Sequence, residues 1–135
     1  MVMNIRVLTP DRIICATKAD EIILPGLTGQ VGILAGHATL ITALDTGLLR
    51  IKFDNSWTPI LLCGGLAEID QNRITVLVNG VEEFNDVELA SATKEVEKAT
   101  LAIEEATTSK DRLDAVDELK KANARLEGIN YLSKQ

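Results

Sequence analysis

Two hydrophobic periodicities divide the chain. Over residues 1–85, short runs rich in β-branched residues recur between turn signals, a spacing typical of strands in a β-sandwich or barrel. The predicted turns include 25–26, 45–47 and 70–72. The predicted strands are 5–8, 13–17, 21–24, 31–34, 40–43, 48–53, 58–63, 66–70 and 74–78.

A hairpin is predicted within this part of the chain. Residues 49–53 alternate between apolar and basic side chains, as in a half-buried strand. Residues 54–56 then turn the chain into a strand over 57–63. The pair Gly64 and Gly65 interrupts the apolar stretch that follows, which indicates a bulge or a bend where the chain passes between sheets.

Residues 86–135 have the period of helices. Apolar residues recur there at alternating spacings of three and four, as in the seam between paired helices. Residues 107–109 break the pattern, and Ser109 or Asp111 can cap a second helix. We therefore predict an antiparallel hairpin of helices about 30 Å long. The seam consists of Leu89, Ala92, Val96, Ala99, Ile103 and Ala106, followed by Ala115, Leu119, Ala122, Leu126 and Ile129.

The chain is thus predicted to be α+β, with an all-β domain over 1–85 and a helical hairpin over 86–135. Five of the eleven seam positions are alanine, so the helices bury little apolar surface against each other. Two interpretations remain open. The hairpin is either a stable, close-packed pair, or an element whose docked and open states differ by only a few kcal/mol, which a partner could switch.

Composition narrows the class of protein. The net charge of −6 argues against nucleic acid or an anionic lipid surface as the main partner. No apolar run approaches the roughly 18 residues of a membrane span, and the N-terminus lacks a signal-peptide pattern. Cys15 and Cys63 are interpreted as small buried hydrophobes, with a disulfide as the weaker alternative. A single histidine, His37, leaves too few ligands for a zinc site.

No catalytic pattern emerges. His37 lies at a predicted turn with no nucleophile pattern nearby, so a turn or interface role is favoured over acid/base work. The glycines at 26, 29, 32 and 36 lack the Gly-Lys-Ser/Thr of a phosphate loop. Lys120, Lys121 and Arg125 form a basic cluster that is either a solvated face or a contact for an acidic partner. These features favour a binding or regulatory module over an enzyme, with a chaperone or adaptor as a third class.

Residues 21–40 resemble the ATP synthase epsilon family. The family pattern there is a glycine-rich turn, Gly-x-x-Gly-Ile/Val-Leu, followed by Gly/Asn-His-Ala-Pro-Leu, and Thr39 stands in place of the usual proline. Segments 62–68 and 74–78 match further family segments, and the opening 4–12 resembles the chloroplast and cyanobacterial branch. The resemblance covers essentially the whole chain, including the helical tail.

This resemblance implies a β-sandwich of about ten strands followed by the hairpin. It also implies a non-catalytic rotor-stalk subunit without a cofactor, which couples proton flow through the c-ring to ATP synthesis and restrains ATP hydrolysis through its C-terminal helices. The alternative is a small regulatory or adaptor module of another complex. The expected location is the chloroplast thylakoid membrane, peripheral and stromal, or the cytoplasmic side of a cyanobacterial thylakoid.

The partners implied are the gamma subunit, the c-ring and, through the helices, the catalytic beta subunit. By resemblance, Lys120, Lys121 and Arg125 are the positions that approach an acidic loop of the beta subunit. Some bacterial relatives bind ATP on the hairpin, but Glu88 and Ser91 replace the aspartate and arginine of that motif, so no ATP site is expected. The residues expected to face the c-ring are Thr9, Gln30, Val31 and His37.

Overall fold

The computed structural model describes residues 2–82 and 89–133, with helical side chains described over 91–130. Eight strands and two helices form in these residues. Neither helix in this part is long and apolar enough to cross a membrane. The elements are β1 (Met3–Leu8), β2 (Ile13–Ala19), β3 (Glu21–Gly26), β4 (Gly29–Leu34), β5 (Leu40–Phe53), β6 (Ser56–Asp70), β7 (Arg73–Val78), β8 (Val81–Glu82), α1 (Leu89–Glu105) and α2 (Ser109–Ser133).

The strands form one hydrogen-bonded array that encloses the core as a β-sandwich. Their order is β2-β1-β7-β6-β5-β3-β4, and β8 pairs with β6. The pairing is antiparallel except between β1 and β7, which are parallel. Alternate residues point inward, so that β1 buries Met3, Ile5 and Val7 against side chains from the other strands. The predicted fold class is confirmed.

The two longest strands each cover two predicted runs. Residues 45–47, predicted to be a turn, lie inside β5, so that prediction is wrong. Thr46 pairs with Cys63 and Gly47 with Leu62, so the ladder to β6 continues through the segment. Strand pairing thus satisfies backbone groups that a turn would otherwise have had to satisfy locally.

Gly64 and Gly65 lie inside β6, which continues through both residues. Both have positive φ, 75° and 152°, and the pairing with β5 keeps its register from Leu44↔Gly65 to Thr46↔Cys63. Of the two predicted alternatives, the constant register excludes a bulge, and the positive φ values fit a bend within the strand. A Cβ at Gly65 would collide with the carbonyl oxygen of Leu77, so the close approach of β7 requires glycine at this position.

The predicted hairpin between β5 and β6 is confirmed. Phe53 pairs with Ser56, and the two residues between them, Asp54 and Asn55, have φ of 53° and 63°. These values are those of a type I′ turn, whose twist matches that of the flanking strands.

The strand leading into this turn is buried on both faces, not on one. Leu49 is fully buried in the core, yet Leu48 and Arg50 on the opposite face are only 5% and 7% exposed. The prediction of a half-buried strand is wrong here because α2 packs over the outer face of β5, a tertiary contact that strand periodicity cannot reveal.

The helices pair along the predicted seam. Ala92, Ala99, Ala115 and Ala122 are buried between them, and Ala106 is half-buried. The side chain of the seam residue Leu89 lies outside the described residues. At 1.5 Å per residue, α1 is about 25 Å long and α2 about 37 Å.

The cap of α2 is Thr108, so the prediction of Ser109 or Asp111 is wrong. The Thr108 hydroxyl accepts a hydrogen bond from the Asp111 amide at 3.0 Å, and the Thr108 carbonyl accepts one from the Arg112 amide at 3.0 Å. Ser109 is already the first residue of the helix. A residue that accepts both bonds must lie just before the helix, which places the cap one position earlier than expected.

The β domain is expected to fold without the hairpin. The predicted boundary at residues 85 and 86, like Glu88, lies outside the described residues. The main core cluster consists only of strand residues. A chain ending at Asn85 should therefore show β-type circular dichroism and one cooperative unfolding transition. It should lose about 1–3 kcal/mol because Leu48 and Leu61 lose the cover of α2. A molten or insoluble product would contradict separable modules.

Candidate functional site

The candidate site is the interface between α2 and the β-sandwich. Ala124 packs against Leu48 of β5 and Leu61 of β6, with Cys63 beside them. Ala124 is only 4% exposed, although it lies outside the predicted seam. The sequence signal that could have identified it is a small apolar residue between the seam positions Ala122 and Leu126. This apolar contact is small, so polar contacts carry much of the interface.

Lys120 binds the middle of β5. Its Nζ donates to both carboxylate oxygens of Asp45, at 3.1 and 3.0 Å. One turn earlier on α2, Asp117 accepts a hydrogen bond from the Thr46 hydroxyl at 3.2 Å. Two neighbouring residues of β5 therefore hold two positions of one face of α2.

Arg125 joins three elements. Its Nε and Nη2 donate to the two oxygens of Glu82 in β8 at 2.7 and 2.8 Å, and its Nη1 donates to Glu95 in α1 at 3.3 Å. The hydrogen bond from Arg125 lowers the pKa of Glu82, and the same bond raises the pKa of Arg125. Such bidentate, charge-assisted pairs are stronger and more directional than a single exposed ion pair.

Lys121, the third member of the predicted basic cluster, forms its ion pairs within α2, although its charge also helps to lower the pKa of Glu82 after the larger effect of Arg125. Its Nζ lies 3.7 Å from Asp117 and 4.0 Å from Glu118, both on its own helix. The structure thus divides the cluster: Lys120 and Arg125 bind carboxylates of the sandwich, and Lys121 pairs within α2. A further ion pair links Arg50 of β5 to Glu127 of α2 at 3.5 Å.

The four residues expected to face the c-ring do not form one cluster. Gln30 and Val31 are neighbours in β4, beside the tip of the β3–β4 hairpin, where Gly26 pairs with Gly29. Thr9 lies in the β1–β2 turn, where its amide donates to the Arg12 carbonyl at 2.9 Å.

His37 lies beyond the other end of β4. Its Nδ1 is 2.7 Å from the carbonyl oxygen of Ala38, and the adjacent Gly36 amide donates to Asn72 in the β6–β7 turn at 2.7 Å. No hydrogen bond joins His37 to Thr9, Gln30 or Val31 in the described part of the chain.

An exposed apolar stripe, missed by the sequence analysis, crosses five adjacent strands. Leu66 and Leu77 are direct partners, and they are 50% and 47% exposed. Leu66 is two residues from the exposed Glu68, so both side chains lie on the solvent face of β6, where a polar residue is usual. A leucine at such a position was the sequence signal for this surface. The apolar stripe consists of Ile13, Leu8, Leu77, Leu66 and Ala43, each paired with the next.

Reactive groups are sparse in the part of the chain described. Cys15 and Cys63 are free and half-buried, and burial raises the pKa of both thiols. No group of three or more metal-ligating side chains occurs among the described residues. The described residues thus form a sandwich with an exposed apolar stripe and with α2 docked on β5 and β6.

Solved structures share this fold. One similar chain belongs to the cryo-EM structure of the Euglena gracilis mitochondrial ATP synthase, OSCP/F1/c-ring in rotational state 1. Its TM-score is 0.77 at 17% identity, covering 93% of this chain and 79% of that one. Another belongs to the central stalk/c-ring of the Tetrahymena thermophila mitochondrial ATP synthase, with a TM-score of 0.58 at 16% identity, covering 93% and 94%. At these identities the likeness concerns the fold alone.

Sequence relatives are much closer. Residues 2–84 match the family model described as the ATP synthase delta/epsilon chain, beta-sandwich domain. Chains named ATP synthase epsilon chain, chloroplastic, are similar over 98% of this chain. The one from Thalassiosira pseudonana is 79% identical and covered over 100% of its length, and the one from Gracilaria tenuistipitata is 46% identical and covered over 99%. Since these matches span both the sandwich and the hairpin, the chain belongs to the family of ATP synthase epsilon chains.

Proposed function

We propose that this chain is a non-catalytic subunit of the rotor stalk of an F-type ATP synthase. In this role it couples proton flow through the c-ring to ATP synthesis and restrains ATP hydrolysis through α1 and α2. The observation that carries the proposal is the match to epsilon chains over 133 residues, which includes the helical tail as well as the sandwich. The names of the relatives support a chloroplast location, and we propose the stromal side of the thylakoid membrane, reached through the complex.

The apolar stripe is the surface we assign to the gamma subunit. Leu66 and Leu77 are direct cross-strand partners, and each is about half exposed. Together they form an apolar patch that water solvates poorly. Ile41, 69% exposed, lies on β5 two residues before the stripe residue Ala43, so it extends the same outer face. A permanent partner would bury this surface, and the isolated chain leaves it in solvent.

We assign the c-ring contact to the sandwich end that carries Thr9, Gln30 and Val31. Leu8 precedes Thr9 in the stripe row, which runs to Ala43, and Ala43 accepts a hydrogen bond from the Leu27 amide at the β3–β4 tip, at 3.3 Å. Thr9 and the tip therefore lie at about the same level of the ladder, where β1 ends and the β3–β4 hairpin turns. A contact that also included His37 would have to extend along β4.

The inhibitory contact of the tail is assigned to Lys120, Lys121 and Arg125, which would meet acidic residues of the catalytic beta subunit. Each has a long stem and a charge that suits an acidic partner. Two of the three cations bind carboxylates of the sandwich when α2 is docked. The inhibitory contact therefore requires α2 to leave the sandwich.

The proposal predicts that the apolar stripe is needed for assembly. In a complex depleted of its epsilon chain, this chain should restore coupled ATP synthesis and lower ATP hydrolysis. The double change Leu66→Asp and Leu77→Asp should weaken incorporation by on the order of 1,000-fold, since buried interface anchors contribute about 2 kcal/mol each and ~1.4 kcal/mol is a tenfold change. Its circular dichroism should stay that of a β protein, and its melting temperature should fall by only a few degrees, because both residues are about half exposed and the two new aspartates face each other across β6 and β7.

Leu101→Asp provides the control, since Leu101 is 55% exposed but lies on α1, away from the stripe. This variant should incorporate like the parent chain. Full co-purification of the double stripe variant would refute the assignment of this surface. Failure of the unmodified chain to restore coupling would refute the proposed function itself.

A further inference from the structure

Two carboxylates of the sandwich bind cations of the docked α2. Asp45 holds Lys120 through two hydrogen bonds, and Glu82 holds Arg125 through two more. Asp45 is in β5 and Glu82 in β8. Their partners Lys120 and Arg125 are five residues apart on α2. Five residues are about 1.4 turns of an α-helix, so the two contacts lie at different heights and different angles around α2 and together restrain its position and its rotation.

The apolar part of the same interface is small. Its buried members are Leu48, Leu61 and Ala124, and the helix contributes only the methyl group of Ala124 to that set. Removing apolar surface from water stabilises in proportion to its area, and the area here is that of Ala124 against Leu48 and Leu61. The charged contacts are therefore comparable with the apolar contact in keeping α2 on the sandwich.

In the docked state these cations are already bonded to carboxylates of the same chain. The guanidinium of Arg125 gives its Nε and Nη2 to Glu82 and its Nη1 to Glu95. The ammonium of Lys120 lies within 3.1 Å of both oxygens of Asp45. An external carboxylate would have to compete with these partners for the same cations.

We propose that Asp45 and Glu82 form a carboxylate latch. The latch keeps α2 docked and competes, within the same chain, for the cations that the tail would offer to an acidic partner. The inference rests on the proposed inhibitory role of the tail and deepens it by naming residues that set the balance between the docked and open states. Weakening the latch should favour the open, inhibitory tail, which is the opposite of the effect expected from weakening the cations.

Cys63 provides a reporter of docking in the isolated chain. Its side chain packs beside the contact of Ala124 with Leu48 and Leu61, so departure of α2 uncovers the thiol. In a Cys15→Ser background, alkylation of Cys63 by iodoacetamide would be timed for the parent and for the double variant Asp45→Asn, Glu82→Gln. These changes remove charge while keeping size. We expect alkylation to be at least threefold faster in the double variant, and the difference to shrink as salt is added.

The matched control is Glu21→Gln with Asp54→Asn. It removes two carboxylates from β3 and from the β5–β6 turn, where neither is bonded to α2 in the described residues. Asparagine suits the positive φ at position 54. Alkylation in this control should match the parent. Equal alkylation in the latch variant and the control would overturn the latch, whatever the complex does.

Reconstitution then separates the latch from the proposed function. A complex reconstituted with the latch variant should hydrolyse ATP at least twofold more slowly than one reconstituted with the parent chain, because a larger fraction of the tails is free to make the inhibitory contact. Fast alkylation together with slower hydrolysis supports the whole inference. Fast alkylation with unchanged hydrolysis supports the latch as a docking device and overturns the inhibitory role of the tail.

Discussion

Replacing Lys120, Lys121 and Arg125 together by alanine is expected to release the restraint on ATP hydrolysis while exposing Cys63. The first effect follows because the tail loses its charges for an acidic partner. The second follows because the docked state loses its bonds to Asp45 and Glu82. An exposed ion pair contributes up to about 1 kcal/mol, so three together amount to ~3 kcal/mol. That changes the equilibrium of the inhibitory contact by on the order of a hundredfold.

Hydrolysis by the reconstituted complex and alkylation of Cys63 in the isolated chain test this expectation. Hydrolysis should rise toward the rate obtained with a chain ending at Asn85, and assembly should be unchanged. The control removes three other lysines, Lys94, Lys98 and Lys110, which lie on the same two helices outside the basic cluster. If the triple variant restrains hydrolysis as well as the parent, the basic cluster serves docking alone.

Only one side of the latch was predictable from sequence. The cations stand close together on one helix, where a period of 3.6 residues gives their relation directly. Their carboxylate partners lie 75 and 43 residues away in the chain, and no local pattern marks Asp45 or Glu82 as different from other acidic residues. The segment 45–47 even has the composition of a turn, since its place in a long strand depends on pairing with β6.

Hydrophobic periodicity predicted the buried residues correctly where an element is covered on one face only. Four of the five alanines of the helix seam are buried, as their spacing of three and four predicts, and Ala106 is half-buried. Periodicity failed where a second surface is covered. Leu48 and Arg50 of β5 lie on the face opposite the core, and Ala124 of α2 lies outside the seam, yet all three are buried by the docking of the hairpin on the sandwich. The sequence describes each element, whereas this contact depends on how two elements meet.

The salt dependence of ATP hydrolysis does not distinguish the inhibitory contact of the tail from its docking contact with the sandwich. Counterions screen exposed pairs between the tail and an acidic partner, which weakens inhibition. They also screen the pairs of Lys120 with Asp45 and of Arg125 with Glu82, which frees the tail and favours inhibition. The two effects oppose each other, so variants that change one contact at a time are required.

Exchanging the charges of one pair separates docking from inhibition. Lys120 and Asp45 suit the test because they are 44% and 32% exposed and bond directly at 3.0 Å. The single changes Asp45→Lys and Lys120→Glu each replace an attraction by a repulsion, which should weaken docking by about 1–2 kcal/mol. The double exchange restores opposite charges across the interface and should recover most of that docking free energy, giving a favourable coupling in a double-mutant cycle.

Cys63 should therefore be alkylated about 5- to 30-fold faster in the two single variants, at ~1.4 kcal/mol per tenfold change. In the double variant the alkylation rate should approach that of the parent.

ATP hydrolysis by the reconstituted complex should rank the variants differently. Asp45→Lys frees a tail whose cations are intact, so hydrolysis should fall below that of the parent. Lys120→Glu frees a tail that now repels an acidic partner, so hydrolysis should rise. The double variant, docked yet carrying the reversed charge, should also restrain hydrolysis poorly. If both single variants changed hydrolysis in the same direction, the sandwich and the partner could not be competing for Lys120, because competition requires that the two sides of the pair act with opposite sign.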